Sequence, residues 1–109
     1  TILELAGLTI PDSIQGRSLV PLLRGADVEW RNDFFYEHPF VHPRIPMTEG
    51  VRGPRFKYVR YTSLDPVVEE LYDLKTDPRE EKNLAGDPRF SERLRGQRDR
   101  WREWRERVK

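Results

Sequence analysis

From Asp87 onward the sequence permits one backbone reading. Phe90, Leu94, Gln97, Trp101, Trp104 and Val108 recur at spacings of four and three, which lines them along one side of an α-helix. Asp87 is placed to cap that helix and Pro88 to occupy its first position. Arg95, Arg98, Arg100, Arg102, Arg105 and Arg107 cover the remaining surface. Asp99 with Arg102, and Glu103 with Arg107, stand at helical neighbour spacing, each pair worth about 0.2–0.5 kcal/mol. A stripe holding two tryptophans needs an apolar surface to lie on. The preceding residues must supply it.

They do so as strands. Phe34–Glu37 is aromatic-rich and reads as β. Gly50–Arg52 is a short strand, Gly53-Pro54 a turn, and Phe56–Tyr61 a longer strand. Asp65-Pro66 marks a further turn. Val67–Leu74 is the fourth strand, with Glu69 and Glu70 expected to face solvent. Thr76-Asp77-Pro78 breaks it, and Glu80–Leu84 reads as a single helical turn. The expected architecture is α+β: about four antiparallel strands packed against the long C-terminal helix. Short helices precede it. Residues 1–7 read as the end of a helix closed by Gly7. Ser18 caps a second helix through Leu23, closed by Gly25, with Leu19, Leu22 and Leu23 as its buried stripe.

The chain has 109 residues, of which 36% are hydrophobic and 36% charged, lean for one self-sufficient domain. It opens at Thr1, inside a helix without a start signal, so a piece of a longer protein is expected. Cys is absent, which excludes disulfides, thiolate zinc sites and a cysteine nucleophile. No apolar run approaches the roughly 20 residues of a membrane span. The net charge of +1 hides a split: residues 1–86 carry 11 basic and 14 acidic groups, residues 87–109 carry 9 and 5.

Several ordered stretches resemble the C-terminal region of type I sulfatases. They are Thr1–Gly7, Gln15–Leu23, Gly50-Val51-Arg52 followed by Arg55–Arg60, then Glu70–Leu74, Asp77–Glu80 and Asn83-Leu84-Ala85. Gly53-Pro54 departs from the family's more usual threonine-containing turn, and Phe56 stands where tyrosine is common. The resemblance implies an alkaline-phosphatase-like α/β enzyme that hydrolyses sulfate esters. It implies a formylglycine nucleophile, made from Cys or Ser with Pro or Ala two places on and Arg four places on, and a calcium ion held by carboxylates and an amide. Ser13 has Arg17 but also Gln15. Ser91 has Arg95 but also Arg93. Neither qualifies, so no catalytic or metal-binding residue of the family is carried over. Formylglycine and calcium are expected in a catalytic domain N-terminal to this region. On that footing residues 1–30 are the tail end of the catalytic domain and a connector, and residues 31–109 are the C-terminal subdomain. The isolated chain is expected to be inactive.

Residues His38–Glu49 hold Pro39, Pro43 and Pro46, which forbid helix or central strand. His38 and His42 stand four apart beside Glu37, a metal-binding spacing only on a helix, so no metal site is assigned. His38, His42 and Arg44 suit an anionic sulfate or sugar acid. Ordered loops often carry sites, so these three are the candidate substrate contacts; the bland alternative is a solvated surface loop. The arginine-rich helix suggests nucleic acid, but its acids are interleaved and its tryptophans lie on the apolar stripe, so no nucleic acid is expected. Arg52, Arg55, Lys57 and Arg60 read as surface charges. Tyr36, Tyr58 and Tyr72 read as core aromatics with wet hydroxyls. Expected partners are the catalytic domain, a sulfate-ester substrate through it, and a second copy meeting the apolar faces of residues 1–24. A free-standing interaction module without catalysis is the alternative. The substrate stays open among aryl sulfates, choline sulfate and sulfated sugars, and so does the compartment.

Overall fold

A computed structural model describes Thr1–Val108. The contacts divide the chain into two units, Thr1–Arg31 and the residues from Asn32 on. The first unit holds two one-turn helices, α1 (Ile2–Leu5) and α2 (Val20–Leu23). Both end on a glycine in the left-handed region, Gly7 at φ +70° and Gly25 at φ +71°. In each, two backbone N–H groups reach back to the helix's carbonyls, Gly7 to Glu4 and Leu8 to Leu3 in α1, Gly25 to Leu22 and Ala26 to Pro21 in α2, the expected glycine closure. The Thr1 hydroxyl accepts from Leu19 N–H, and Arg17 stacks over Trp30. The expected leucine stripe of α2 is not formed. Leu19, Leu22 and Leu23 are exposed and Val20 is the buried residue. A single turn presents about one position inward, and here that position is Val20.

The second unit contains β1 (Phe34–His38), β2 (Thr48–Arg52), β3 (Phe56–Tyr61), β4 (Val68–Asp73) and α3 (Ser91–Val108), the last entered through a 3-10 turn at Pro88–Phe90. The strands form an antiparallel meander in the order β1-β2-β3-β4. Phe35, Val51, Tyr58 and Leu71 stand in one cross-strand row. Side chains alternate across a sheet, so this row shares a face, and with Phe56 and Leu84 it meets Leu94 and Trp101 of α3. The helix therefore lies on the sheet as its stripe requires. Asp87 caps the entry turn, accepting from Arg89 N–H at 3.0 Å.

Several boundaries and exposures differ from the sequence reading. β2 starts at Thr48, not Gly50, because Thr48 pairs with both His38 and Tyr61, and Glu49 with both Glu37 and Arg60. The proline-rich connection is thereby shortened to residues 39–47. Residues 80–84 are not a helical turn. Glu80 takes φ 57°, and the Asp77 carboxylate accepts from the N–H groups of Glu81 and Lys82. Asn83 then lies along β4: its Oδ1 accepts from Leu71 N–H at 3.0 Å, and its Nδ2 donates to Glu69 O at 3.1 Å. Leu84 N–H donates to Leu71 O at 2.8 Å. This segment covers the β4 edge, which would otherwise present unpaired backbone. Arg55 is no loose surface charge. It grips buried Asp73 through two bonds of 2.9 and 2.7 Å.

Gly50 is fixed by its neighbour. Tyr36, opposite it in register, folds its ring across the glycine and donates to Tyr58 O at 3.4 Å. A Cβ at Gly50 would lie 2.4 Å from the Tyr36 ring and 2.5 Å from Tyr58 O, whereas one at Gly96, inside α3, meets nothing within 4 Å. Opposite responses to alanine follow. Gly50→Ala overpacks the sheet and should cost about 1–3 kcal/mol. Gly96→Ala should gain about 0.5–1 kcal/mol from helix propensity. Urea unfolding of the two variants checks the signs, and equal effects would contradict this packing.

Candidate functional site

Three carboxylates on the sheet side receive the polar groups of α3. Asp33, just before β1, accepts from Trp104 Nε1 at 2.9 Å and from Arg100 Nη2 at 2.8 Å. Glu49 of β2 accepts from Trp101 Nε1 at 2.9 Å, with Arg105 Nε 3.3 Å away. Glu69 of β4 accepts from Arg98 through two bonds, from Arg60 at 3.0 Å and from the Tyr58 hydroxyl. Glu69 was expected to face solvent, and its side chain is only 14% exposed. Alternation puts it on the helix side of β4 beside Tyr58 and Arg60, where it is shared by the guanidinium groups of Arg60 and Arg98. The Tyr58 hydroxyl is accordingly not wet.

The ionisation of these groups follows their partners. The Arg100 hydrogen bond holds Asp33 below its ordinary value, with help from Trp104. The Arg98 hydrogen bond does the same for Glu69, joined by Tyr58. Burial pushes Tyr58 up to about 12, and its bond to Glu69 adds to this.

Beside Glu49 a cavity of about 300 Å³ opens where β1 ends and β2 begins. Glu37, His38, Thr48, Glu49, Thr62 and Arg105 line it, with Pro39 and Met47 as its apolar wall. His38 closes β1, and its ring meets Phe40 edge-on at 5.5 Å. Its Nε2 is buried with no hydrogen-bond partner among the described residues. His42 lies apart, in the loop. Its Nδ1 accepts from Arg44 N–H at 3.1 Å, and it pairs with Ile45 in a small bridge. His42 and Arg44 are exposed. Of the three candidate residues, then, His38 lines the cavity, Arg44 presents its guanidinium to solvent, and His42 shapes the turn that carries Arg44.

No group of three metal-ligating side chains is present among the described residues. The donor set here does not fit calcium, and no serine meets the formylglycine spacing. Sequence reasoning did not pick out Asp33, Glu49 or Arg105. One signal was available for the acids: a buried indole N–H requires an acceptor, so two tryptophans on an apolar stripe imply two acceptors facing them.

The family pattern described as N-sulphoglucosamine sulphohydrolase, C-terminal, matches residues 1–107. The chain belongs to this sulfatase family. It is 42% identical over 103 residues to a Delta 4,5-hexuronate-2-O-sulfatase of Bacteroides thetaiotaomicron, covering 86% of this chain and 20% of that protein. The structure of a 2-O GAG sulfatase superposes with TM-score 0.83 at 37% identity, over 98% of this chain and 23% of the other. A phosphonate monoester hydrolase of Agrobacterium radiobacter gives TM-score 0.76 at 27% identity, over 98% and 23%. The sulfatase C-terminal region thus spans about a fifth of the relatives it matches, and its fold also accompanies phosphonate ester chemistry.

The depressed carboxyls carry a pH dependence. Asp33 and Glu69 bind protons more readily in the unfolded chain than in the folded one. Their stabilisation is therefore complete above about pH 5 and drains as pH falls through and below about 4. Thermal unfolding followed from about pH 6 to about pH 3 should show this loss. Asp33→Asn with Glu69→Gln should lower stability near pH 6 and flatten the acid slope; an unchanged slope would show that these carboxylates do not set it.

Proposed function

We propose that this chain is the C-terminal subdomain of a sulfuric ester hydrolase acting on sulfated sugars. In this reading the first unit joins it to an N-terminal catalytic α/β domain, and the loop of residues 39–47 faces the substrate. The family match over residues 1–107 carries the reading. Relatives named N-acetylglucosamine-6-O-sulfatase, at 34% identity, and ulvan-active sulfatase, at 31%, favour sugar esters. The exposed Ile2, Leu5, Leu8 and Leu23 of the first unit are then surfaces for the catalytic domain, with a second copy of the chain as the competing occupant.

The division of labour follows from the residues. Formylglycine and calcium belong, in this reading, to the catalytic domain, where the first would supply a nucleophile and the second would stabilise negative charge. This chain's residues bind and orient. Arg44 offers a planar fork of donors matched to a sulfate or carboxylate. His42, engaged through Nδ1 with the Arg44 backbone, is a positioning residue for it. His38 stands at the stem, where β1 and β2 hold it in register.

Two outcomes test this. The 109-residue polypeptide alone should release no sulfate from an aryl sulfate or a sulfated monosaccharide; turnover by it would overturn the assignment of catalysis elsewhere. In the full-length enzyme, Arg44→Gln should raise KM for a sulfated sugar about tenfold, and His42→Ala and His38→Ala severalfold, with kcat less affected. Unchanged kinetics in all three would remove the loop from the substrate site. Activity-free association with another protein through residues 1–24 would favour an interaction module instead.

A further inference from the structure

A second cavity lies where the first turn of α3 meets the start of β3, at the end of the sheet away from the loop of residues 39–47. It holds about 400 Å³, within the roughly 300 to 1,000 Å³ of ligand pockets. Its charged lining is Arg55, Arg89, Arg93 and Glu92, and its apolar lining is Phe56 and Phe90. Two of the three guanidinium groups are held as fixed forks. Arg55 spends Nε and Nη2 on the Asp73 carboxylate. Arg89 spends the same two atoms on Asp87. In both, Nη1 bonds to nothing among the described residues. The two carboxylates orient the forks without lining the space; the Asp73 side chain is only 4% exposed. Arg93 has no carboxylate partner among the described residues. Its guanidinium lies 4.7 Å from the centre of the Phe56 ring, and that of Arg55 lies 5.0 Å from the same centre. One ring thus carries two like charges, and an anion beside them would relieve their repulsion.

We infer that this cavity binds a phosphomonoester, with its phosphoryl group on the three guanidinium groups and its organic part toward Phe90. Guanidinium forks match phosphate oxygens in geometry as well as charge. A phosphomonoester offers three terminal oxygens and carries about −1.5 to −2 charges near pH 7. A carboxylate offers two oxygens and one charge, so it gains less from the arginines against the same repulsion from Glu92. Inorganic phosphate shares the phosphoryl chemistry, and inorganic sulfate shares its shape. The organic part and the response to acid separate the three. Nothing in this assignment depends on sulfate-ester hydrolysis.

The test is calorimetric titration of the full-length enzyme with phenylphosphonate, inorganic phosphate and inorganic sulfate. Phenylphosphonate keeps a phosphoryl dianion on an apolar ring and has no ester bond to hydrolyse. Arg89→Gln and Arg93→Gln should each raise its Kd about tenfold, the loss of one charge-assisted contact. Glu92→Gln should lower it about twofold by removing a repulsion at an exposed site. Lowering the pH from about 7.5 to about 5.5 protonates the phosphoryl dianion and should weaken phenylphosphonate and phosphate but not sulfate. Arg89 and Glu92 are exposed, so their variants decide the matter even where Arg93→Gln unsettles Phe56. The inference is overturned if the unaltered enzyme does not bind phenylphosphonate, if Arg89→Gln leaves its Kd unmoved, or if Glu92→Gln weakens it. It is equally overturned if inorganic phosphate or sulfate binds as tightly as phenylphosphonate, since the organic part would then contribute nothing.

Discussion

The fold depends on a mutual need between buried carboxylates and the donors of one helix. Trp101 and Trp104 are wanted against the sheet for their apolar area, yet each brings an N–H that must find an acceptor. Glu49 and Asp33 supply those acceptors at 2.9 Å each. The acids in turn cannot sit at the edge of an apolar layer without compensation, and Arg105, Arg100 and Arg98 provide it. Hydrogen bonds to charged groups contribute about 1.5–3 kcal/mol each, and removing one partner leaves the other unsatisfied. The contacts also fix register. Glu69, Glu49 and Asp33 are met in order by Arg98, Trp101 and Trp104, so sliding the helix by one turn would break all of them together. Apolar packing alone would hold the helix; these bonds decide where it stops.

The same geometry accounts for the basic tail. Arg93, Arg100 and Arg107 recur every seven residues. Arg93 lies over Phe56, and Arg100 and Arg107 both lie over Trp104. Arg60 and Arg105 each approach the Trp101 ring, at 4.9 and 5.3 Å. Guanidinium groups stack well on aromatic faces and bury their stems along apolar surface. Much of the positive charge in residues 87–109 is therefore committed to rings and carboxylates within this chain, on α3 itself and on the sheet. Arg102 pairs with Asp99 as its spacing predicts, and Glu103 takes Arg100 rather than Arg107, because Arg107 is drawn over Trp104.

How much of this could be read from residue order varied with the range of the interaction. The α3 stripe is a local periodicity, and its packing against a four-stranded meander follows from it. The glycine closures at Gly7 and Gly25 are local backbone chemistry and were equally legible. The start of β2 was not, because Thr48 and Glu49 become strand only through pairing with β1 and β3. Glu69 looked like a solvent residue because its partners Arg98 and Tyr58 are 29 and 11 positions away. Residues 80–84 have the composition of a helical turn, but Asn83 finds better partners along the β4 edge. For the site, the loop and its three candidate residues were readable from the prolines and the charge types. That His38 borders a cavity while His42 spends its Nδ1 on the turn depends on where the strands end.

The docking network and the cavity share a residue, and this ties the helix to the loop. Glu49 accepts from Trp101 and also lines the cavity beside His38. Arg105 does the same from the helix, opposing Glu49 while forming part of the wall. The β1–β2 ladder runs without interruption to His38 and Thr48, so the loop of residues 39–47 leaves from a stem already held by the sheet. Sites built on strands hold their geometry better than sites built wholly on loops. The anchor that stops α3 in register thus also sets the depth and the charge of the space beside His38. An acid at position 49 is required by the tryptophan behind it.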